Sequence, residues 1–403
     1  MYNQKRIVIT GMGVVTSIGQ NVQTFFDNAI KGTVSISDVT AFDVSQMRSC
    51  RGGEIHDFDV SEQDVTGRAK QFALAAAREC LVGNQALLQH DPFRVGIALG
   101  FTLGETTALE GFCDHFKAGE QALAQASFSD YAPKLIAQTV ARELSIYGPN
   151  YTIGQACSAG NFCTGLALDA LCSGEVDAML VGGTDAFSRY CYAGFSRLGA
   201  IAGDTPRPFS AHRQGMVPAE GAGILLVETL ASAQRRGATI FAEIVGYGES
   251  SDAHHITQPS IDGIEQAMRM ALDSAGIEAE LIDYISAHGT GTLTSDRAES
   301  MVLQRIYPDK IPPLSSVKSM IGHTMGAAAS IECVATIQAM QQQIIPPTMS
   351  FLEADPECPV DCVPNQARPA EIRYAMKTAS AFGGQNSVII FRQWNHQETA
   401  HAV

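Results

Sequence analysis

With 403 residues, 45% of them hydrophobic and only 17% charged, the chain has enough apolar material for a large buried core and fits one two-part domain or two fused halves. A formal net charge of −15 argues against nucleic acid as a general partner, since an acidic macromolecule would need a local basic patch to bind. Residues 1–6 run directly into a strand pattern without a signal-peptide core, and no apolar run reaches membrane-spanning length, so a cytoplasmic chain with reduced thiols and no membrane partner is expected.

Strand and helix patterns alternate along the chain. A strand over 7–10 opens into Gly11-Met-Gly-Val-Val-Thr-Ser-Ile-Gly19, and a Phe-bearing helix follows over 22–31. The spacing predicts a helix over 69–87, a buried strand over 95–100, a helix over 161–172 and a strand over 178–181 closed by Gly182-Gly183. Strands over 224–228 and 240–248, a helix over 261–275, a strand over 282–287, a long helix over 325–343 and a last apolar strand over 387–392 complete the pattern. Continuous β-branched strands between helices imply a sheet covered on both faces and an α/β class. Two tempting motifs dissolve on inspection. Gly11-Met-Gly has Thr16 where a dinucleotide loop needs its third glycine, which leaves a tight β-to-α turn. Cys358-Pro-Val-Asp-Cys362 lacks a second ligand pair at zinc spacing; it reads as a loop ending in a strand, and no metal is expected.

The stretch richest in chemistry is Tyr151-Thr-Ile-Gly-Gln-Ala-Cys-Ser-Ala-Gly160. Any one of the chain's 10 cysteines is more often a buried structural residue, and Cys163 and Cys172 read that way. Cys157 differs because it stands at a helix start, where free N–H groups and the positive end of the dipole favour a thiolate. Gly154, Ala156, Ser158, Ala159 and Gly160 around it leave room for a substrate chain. His288 and His323 lie far downstream in the small-residue turns His288-Gly-Thr-Gly-Thr292 and Gly322-His-Thr-Met-Gly326. Either histidine alone would suit a turn or a backbone carbonyl, but a nucleophile with two imidazoles outlines an acyl-transfer site. There is also a faint internal echo: Cys157 and His323 each start a helix of small residues, which predicts matching helix starts in two related halves.

In joint order and spacing, Ala156-Cys-Ser, Arg207-Pro-Phe, Ala219-Glu-Gly-Ala-Gly223, Ala287-His-Gly-Thr-Gly-Thr292, Ser316-Val-Lys-Ser-Met-Ile-Gly-His323 and Phe382-Gly-Gly384 resemble the β-ketoacyl-acyl carrier protein synthases of the thiolase-like superfamily. The resemblance covers nearly the whole chain and implies a five-layered αβαβα fold of two related halves, 1–240 with the cysteine and 241–403 with the histidines. It implies a decarboxylative Claisen condensation between an acyl group on Cys157 and malonyl-acyl carrier protein, with His288 and His323 handling decarboxylation and steadying the enolate. Lys318 matches the lysine that supports the histidines and Glu332 its acidic partner. Thr290 and Thr292 match the threonines that bind the pantetheine arm. Phe382 matches a gating residue whose N–H joins that of Cys157 in an oxyanion hole. No cofactor is implied beyond the phosphopantetheine of the carrier. The implied partners are that carrier, docked by Arg68, Lys70 and Arg197 as candidate cations, and a second subunit, either a copy or a cysteine-less chain-length-factor-like paralogue.

Four stretches depart from the fatty-acid branch. Gln155 stands where threonine is common, Gln214-Gly-Met-Val217 where Asp-Gly-Phe-Val is usual, Leu293-Thr-Ser-Asp296 lacks the usual proline, and Gln385 replaces a threonine. Such drift in specificity positions suits a specialised type II polyketide or polyene system. Two other readings are weaker. A thiolase or loading enzyme using coenzyme A would have a second cysteine as base where this chain pairs two histidines, and a non-catalytic chain-length partner would lack the nucleophile.

Overall fold

The computed structural model describes residues 5–59, 65–119 and 131–395; residues 1–4, within the stretch before the first strand, lie outside the described residues. Ten strands build its main sheet: β1 (Ile7–Val15), β2 (Val95–Phe101), β3 (Asn150–Gly154), β4 (Ala178–Asp185), β5 (Gly221–Thr229), β6 (Ala242–Ser251), β7 (Tyr284–Ser286), β8 (Leu314–Ser315), β9 (Tyr374–Ala381) and β10 (Gln385–Gln393). Their spatial order is β8-β7-β9-β10-β6-β1-β5-β4-β2-β3. Read outward from the centre, each side repeats one plan. On one side β1–β5 and β5–β4 are antiparallel while β4–β2 and β2–β3 are parallel. On the other, β6–β10 and β10–β9 are antiparallel while β9–β7 and β7–β8 are parallel. The two plans meet where Ile7, Val8 and Ile9 pair with Ile244, Glu243 and Ala242.

Six helices complete the layers: α1 (Arg68–Cys80), α2 (Leu135–Leu144), α3 (Ala159–Ser173), α4 (Ile261–Ala275), α5 (Leu293–Ile306) and α6 (Ala328–Gln342). Helices α1 and α2 cover one outer face, α1 resting on β1, β5 and β4. Helix α4 covers the other, packing on β6, β10 and α5. Between them, α3 touches β2, β4 and β5 but also β10, and α6 touches β7, β9 and β10 but also β1, β4 and β5. These two helices are therefore sandwiched between the two half-sheets, giving five layers, α-β-α-β-α. Their sequences explain the position. Twelve of the fifteen residues of α6 are buried, as in a helix with no solvent face, whereas α4 is amphipathic, capped by the Ser260 hydroxyl and stopped by Gly276 at φ +64°.

The central layer needs small residues. A Cβ on Gly183 of β4 would stand 2.1 Å from the carbonyl oxygen of Gly326, and one on Gly160 of α3 would stand 2.0 Å from Ser330 Oγ of α6. Helix starts from the two halves can approach this closely only because those side chains are absent.

Several sequence expectations are revised. The helix over 69–87 breaks after Cys80, because Gly83 turns left-handed at φ +78°, and resumes as Gln85–His90. Cys358 and Cys362 are buried against α4 and α5 in a loop that runs on to the two-residue strand Arg368–Pro369. Helices Leu135–Leu144, Arg189–Arg197 and Leu293–Ile306 and strand Tyr374–Ala381 were not expected, their polar and small residues masking the period. The internal echo is real but shifted. Ala156 at φ +46° and Met325 at φ +52° each open a one-turn 3₁₀ segment followed by a fifteen-residue helix. The residue matching Cys157 is thus Gly326, and His323 precedes it in an extended stretch bridged to Pro218.

Gly183→Ala should destabilise the fold by about 1–3 kcal/mol, because the new methyl must push the Met325–Ala327 turn away from β4. Thermal unfolding measures this, and an unchanged midpoint would show that the close approach is not required.

Candidate active site

Cys157 sits in the turn between β3 and α3, directly after Ala156, whose left-handed backbone stores on the order of 1 kcal/mol. Ser158 Oγ donates to the carbonyl of Gln385 at 3.0 Å and so ties this turn to β10 in the other half. The thiol is 8% exposed, and burial pushes it up to about 12, with the Lys318 charge pulling the other way. The expected resting thiolate is therefore corrected: burial outweighs the pull of Lys318, and the free site holds a thiol.

The two imidazoles come from the second half and from different elements. His288 follows β7. Its main-chain N–H donates to Glu299 Oε1 at 2.8 Å and Thr378 Oγ1 at 3.0 Å, and its carbonyl accepts from Lys318 Nζ at 2.6 Å. His323 is held by main chain on both sides, its N–H donating to Val217 at 2.7 Å and its carbonyl accepting from Ala219 at 2.9 Å. Its Nδ1 accepts from the Met325 N–H at 3.1 Å, which leaves the ring proton on Nε2. The rings stand edge to face with centroids 5.7 Å apart. Burial first, then the Lys318 charge, holds both well below the usual imidazole range, so both rings are neutral at physiological pH.

Beneath the rings lies a buried ionic cluster. Glu332 of α6 is paired through Oε1 with Lys318 and through Oε2 with Lys377 of β9, the latter at 2.8 Å. Asp185, at the end of β4, accepts the N–H groups of Thr102, Leu103, Gly104 and Gly326 at 2.6–2.9 Å and so ties the loop after β2 to the turn that matches that of Cys157. Burial raises this carboxyl to about 6.

Cys157, His288, His323, Thr290, Thr292 and Phe382 all line one cavity of about 370 Å³. Thr290 Oγ1 and Thr292 Oγ1 lie 2.9 Å apart, and Thr292 also caps α5. Phe382 is exposed on the β9–β10 turn, its ring centroid 5.7 Å from that of Phe195, and Gly383 and Gly384 after it are both left-handed. The suggested docking cations fare unevenly. Lys70 is buried at 3% exposure, which is incompatible with a surface contact. Arg68 forks onto Glu220 at 2.7 Å and stacks on Phe72, so it serves the fold. Arg197 alone of the three is exposed, next to Leu198 at the cavity mouth. Sequence reasoning missed Glu299, Thr378, Lys377 and Asp185, since a carboxylate bound to main chain leaves no motif. Among the described residues, no group of three or more His, Cys, Asp or Glu could hold a metal, and no helix is long and apolar enough to cross a membrane.

Comparison with known proteins matches this geometry to a family. The β-ketoacyl synthase N-terminal domain matches residues 4–233 and the C-terminal domain residues 241–352. The chain belongs to the β-ketoacyl synthase family. It is 35% identical over 412 residues to 3-oxoacyl-[acyl-carrier-protein] synthase 2 of Staphylococcus aureus strain COL, covering 98% of this chain and all of that one. The ishigamide ketosynthase/chain length factor superposes with a TM-score of 0.92 at 39% identity, over 97% of this chain and all of that one. A type II polyketide ketosynthase in complex with its acyl-carrier protein and bound to the hexaketide superposes with a TM-score of 0.90 at 29% identity, with the same coverage. The five layers are the thiolase-like fold, and the protein is an acyltransferase of the ketosynthase class.

With the thiol raised to about 12, alkylation of Cys157 by iodoacetamide should keep accelerating between pH 7 and pH 10. A rate that levels off near pH 7 would mean that the helix start does hold a thiolate.

Proposed function

We propose that the chain is a condensing ketosynthase in which Cys157 carries the growing acyl group and His288 and His323 act on malonyl-acyl carrier protein. The observation that carries this reading is the convergence of one thiol and two neutral imidazoles, from separate halves, on a single cavity. In the first half-reaction the Cys157 sulfur bonds to the thioester carbon of the acyl carrier. The thiol proton passes by way of an imidazole to the departing pantetheine sulfur. The oxyanion formed on the way is received by the N–H groups of Cys157 and Phe382, each worth about 3–4 kcal/mol in sites of this kind. In the second half-reaction malonyl loses CO₂, and its enolate oxygen accepts N–H donations from His288 and His323. Neutral rings suit that task, because each can donate to a developing anion without first giving up a charge. The enolate carbon then attacks the acyl carbonyl, and the Cys157 sulfur leaves and takes a proton from solvent, regenerating the thiol.

In this reading Lys318 and Glu332 orient the imidazoles, and Thr290 and Thr292 hold the pantetheine arm. Phe382 gates the nucleophile, Arg197 meets the carrier, and the two halves divide the labour at about residue 240. No cofactor beyond the carrier's own arm is required. Two of the departing stretches contribute to the same cavity: Gln214 to Met216, and Leu293 to Ser295. Their position against the substrate favours a specialised type II polyketide or polyene pathway over bulk fatty-acid elongation. The ketosynthase–carrier and ketosynthase/chain length factor assemblies of the related structures favour a carrier protein as substrate vehicle and a paired second subunit, copy or paralogue.

Cys157→Ala should take up no acyl group from acyl carrier yet still release CO₂ from malonyl carrier; an acyl adduct on the Ala variant by mass spectrometry would sink the assignment. His323→Ala should load normally and fail to condense. Because both rings stay neutral below the ordinary imidazole value of 6.5, decarboxylation by Cys157→Ala should hold its plateau as pH falls through that value. A midpoint at or above it would contradict the neutral pair.

A further inference from the structure

Lys377 is a second buried lysine at the site that none of the motifs includes. It lies on β9, fully buried, facing the start of α6. Its ammonium contacts Glu332 Oε2 at 2.8 Å and donates to the Thr378 carbonyl, while Lys318 occupies Oε1 of the same carboxylate. One carboxylate therefore faces two ammonium groups, and the excess positive charge sits beneath two imidazoles. The next residue extends the arrangement. Thr378 Oγ1 donates to Glu299 Oε1 at 2.6 Å and accepts from the His288 N–H, so adjacent residues of β9 grip the helix after His323 and the segment that carries His288.

We infer that Lys377 is a positioning residue of the condensing reaction: by sharing Glu332 with Lys318 it leaves a net positive charge under His288 and His323, which keeps both rings uncharged and favours the enolate. The inference rests on the ketosynthase reading for the reaction itself, though not for the charge balance. The groups facing the rings fit it. From the second half these are Lys318, before α6, and Glu299, which is already engaged by the His288 and Gly289 main-chain N–H groups and by Thr378, while Cys333 on α6 and Tyr284 on β7 lie near Glu332. From the first half they are Cys157 and Asp185, the latter engaged by four main-chain N–H groups. Both lysines oppose protonation of the imidazoles, and Lys377 does so for both rings. A residue that merely filled space there would be apolar, since burying an ammonium costs several kcal/mol unless its charge has a use or a full set of partners.

The test compares Lys377→Met and Glu332→Gln with the wild type in the full-length protein. The acid limb of malonyl-carrier decarboxylation and the ring titrations of His288 and His323 by histidine-labelled NMR are read for each. Lys377→Met removes a cation, so the rings should protonate more readily and the acid limb should move up by about one pH unit or more. Glu332→Gln removes the anion while both lysines remain, so the limb should move the opposite way. Shifts in the same direction in both variants, or none in either, would overturn the inference. If Lys377→Met does not fold, Glu332→Gln decides alone: an acid limb that stays or moves up refutes the charge balance. A wild type that releases no CO₂ would remove the ketosynthase reading instead, and the NMR titration would still report on Lys377.

Discussion

The whole arrangement depends on how closely two helix starts approach in the central layer. Gly183 lies against Gly326, and Gly160 lies against Ser330, at distances that admit no side chain. That contact puts the turn bearing Cys157 beside the turn that follows His323, and Ser158 and Asp185 then lock the two halves together through hydrogen bonds that cross between them. A site assembled in this way is as rigid as the packing that defines it. The left-handed backbone at Ala156 and Met325 is strain that this packing sustains.

Electrostatics in the site follow from burial. Taken out of water, a thiol resists ionising and an imidazole resists protonating, so both resting forms are the uncharged ones. For acyl transfer this means that charge is created and consumed within the cycle. The buried lysines and Glu332 provide the fixed field in which that happens. Such a cluster is weak evidence for stability, because desolvation offsets most of the Coulomb attraction, and its place beneath the rings is better explained by what it does to neighbouring charges.

Hydrophobic runs and glycine punctuation made the alternation of strands and helices visible, and Cys157, His288 and His323 stood out by residue type and small-residue surroundings. Leu293–Ile306 and Arg189–Arg197 were not legible, because the first buries Asp296, Glu299 and Ser300 among its apolar residues and the second buries only Cys191, Tyr192 and Ser196. Arg68 and Lys70 read as free cations because nothing local announces Glu220 or the burial of Lys70. The internal echo was detectable, yet its register was not, since the left-handed residue that opens each turn is an ordinary alanine or methionine.

The order of residues by itself determined the α/β class and the membership of a condensing family, and it singled out Cys157, His288 and His323 as candidates, because these depend on local period and on side-chain chemistry. Tertiary structure alone decided that the thiol rests protonated, that the rings are neutral, that Gly326 is the counterpart of Cys157, and that Lys377 joins the cluster. Each of those follows from what surrounds a group in space, and burial and proximity belong to the folded chain.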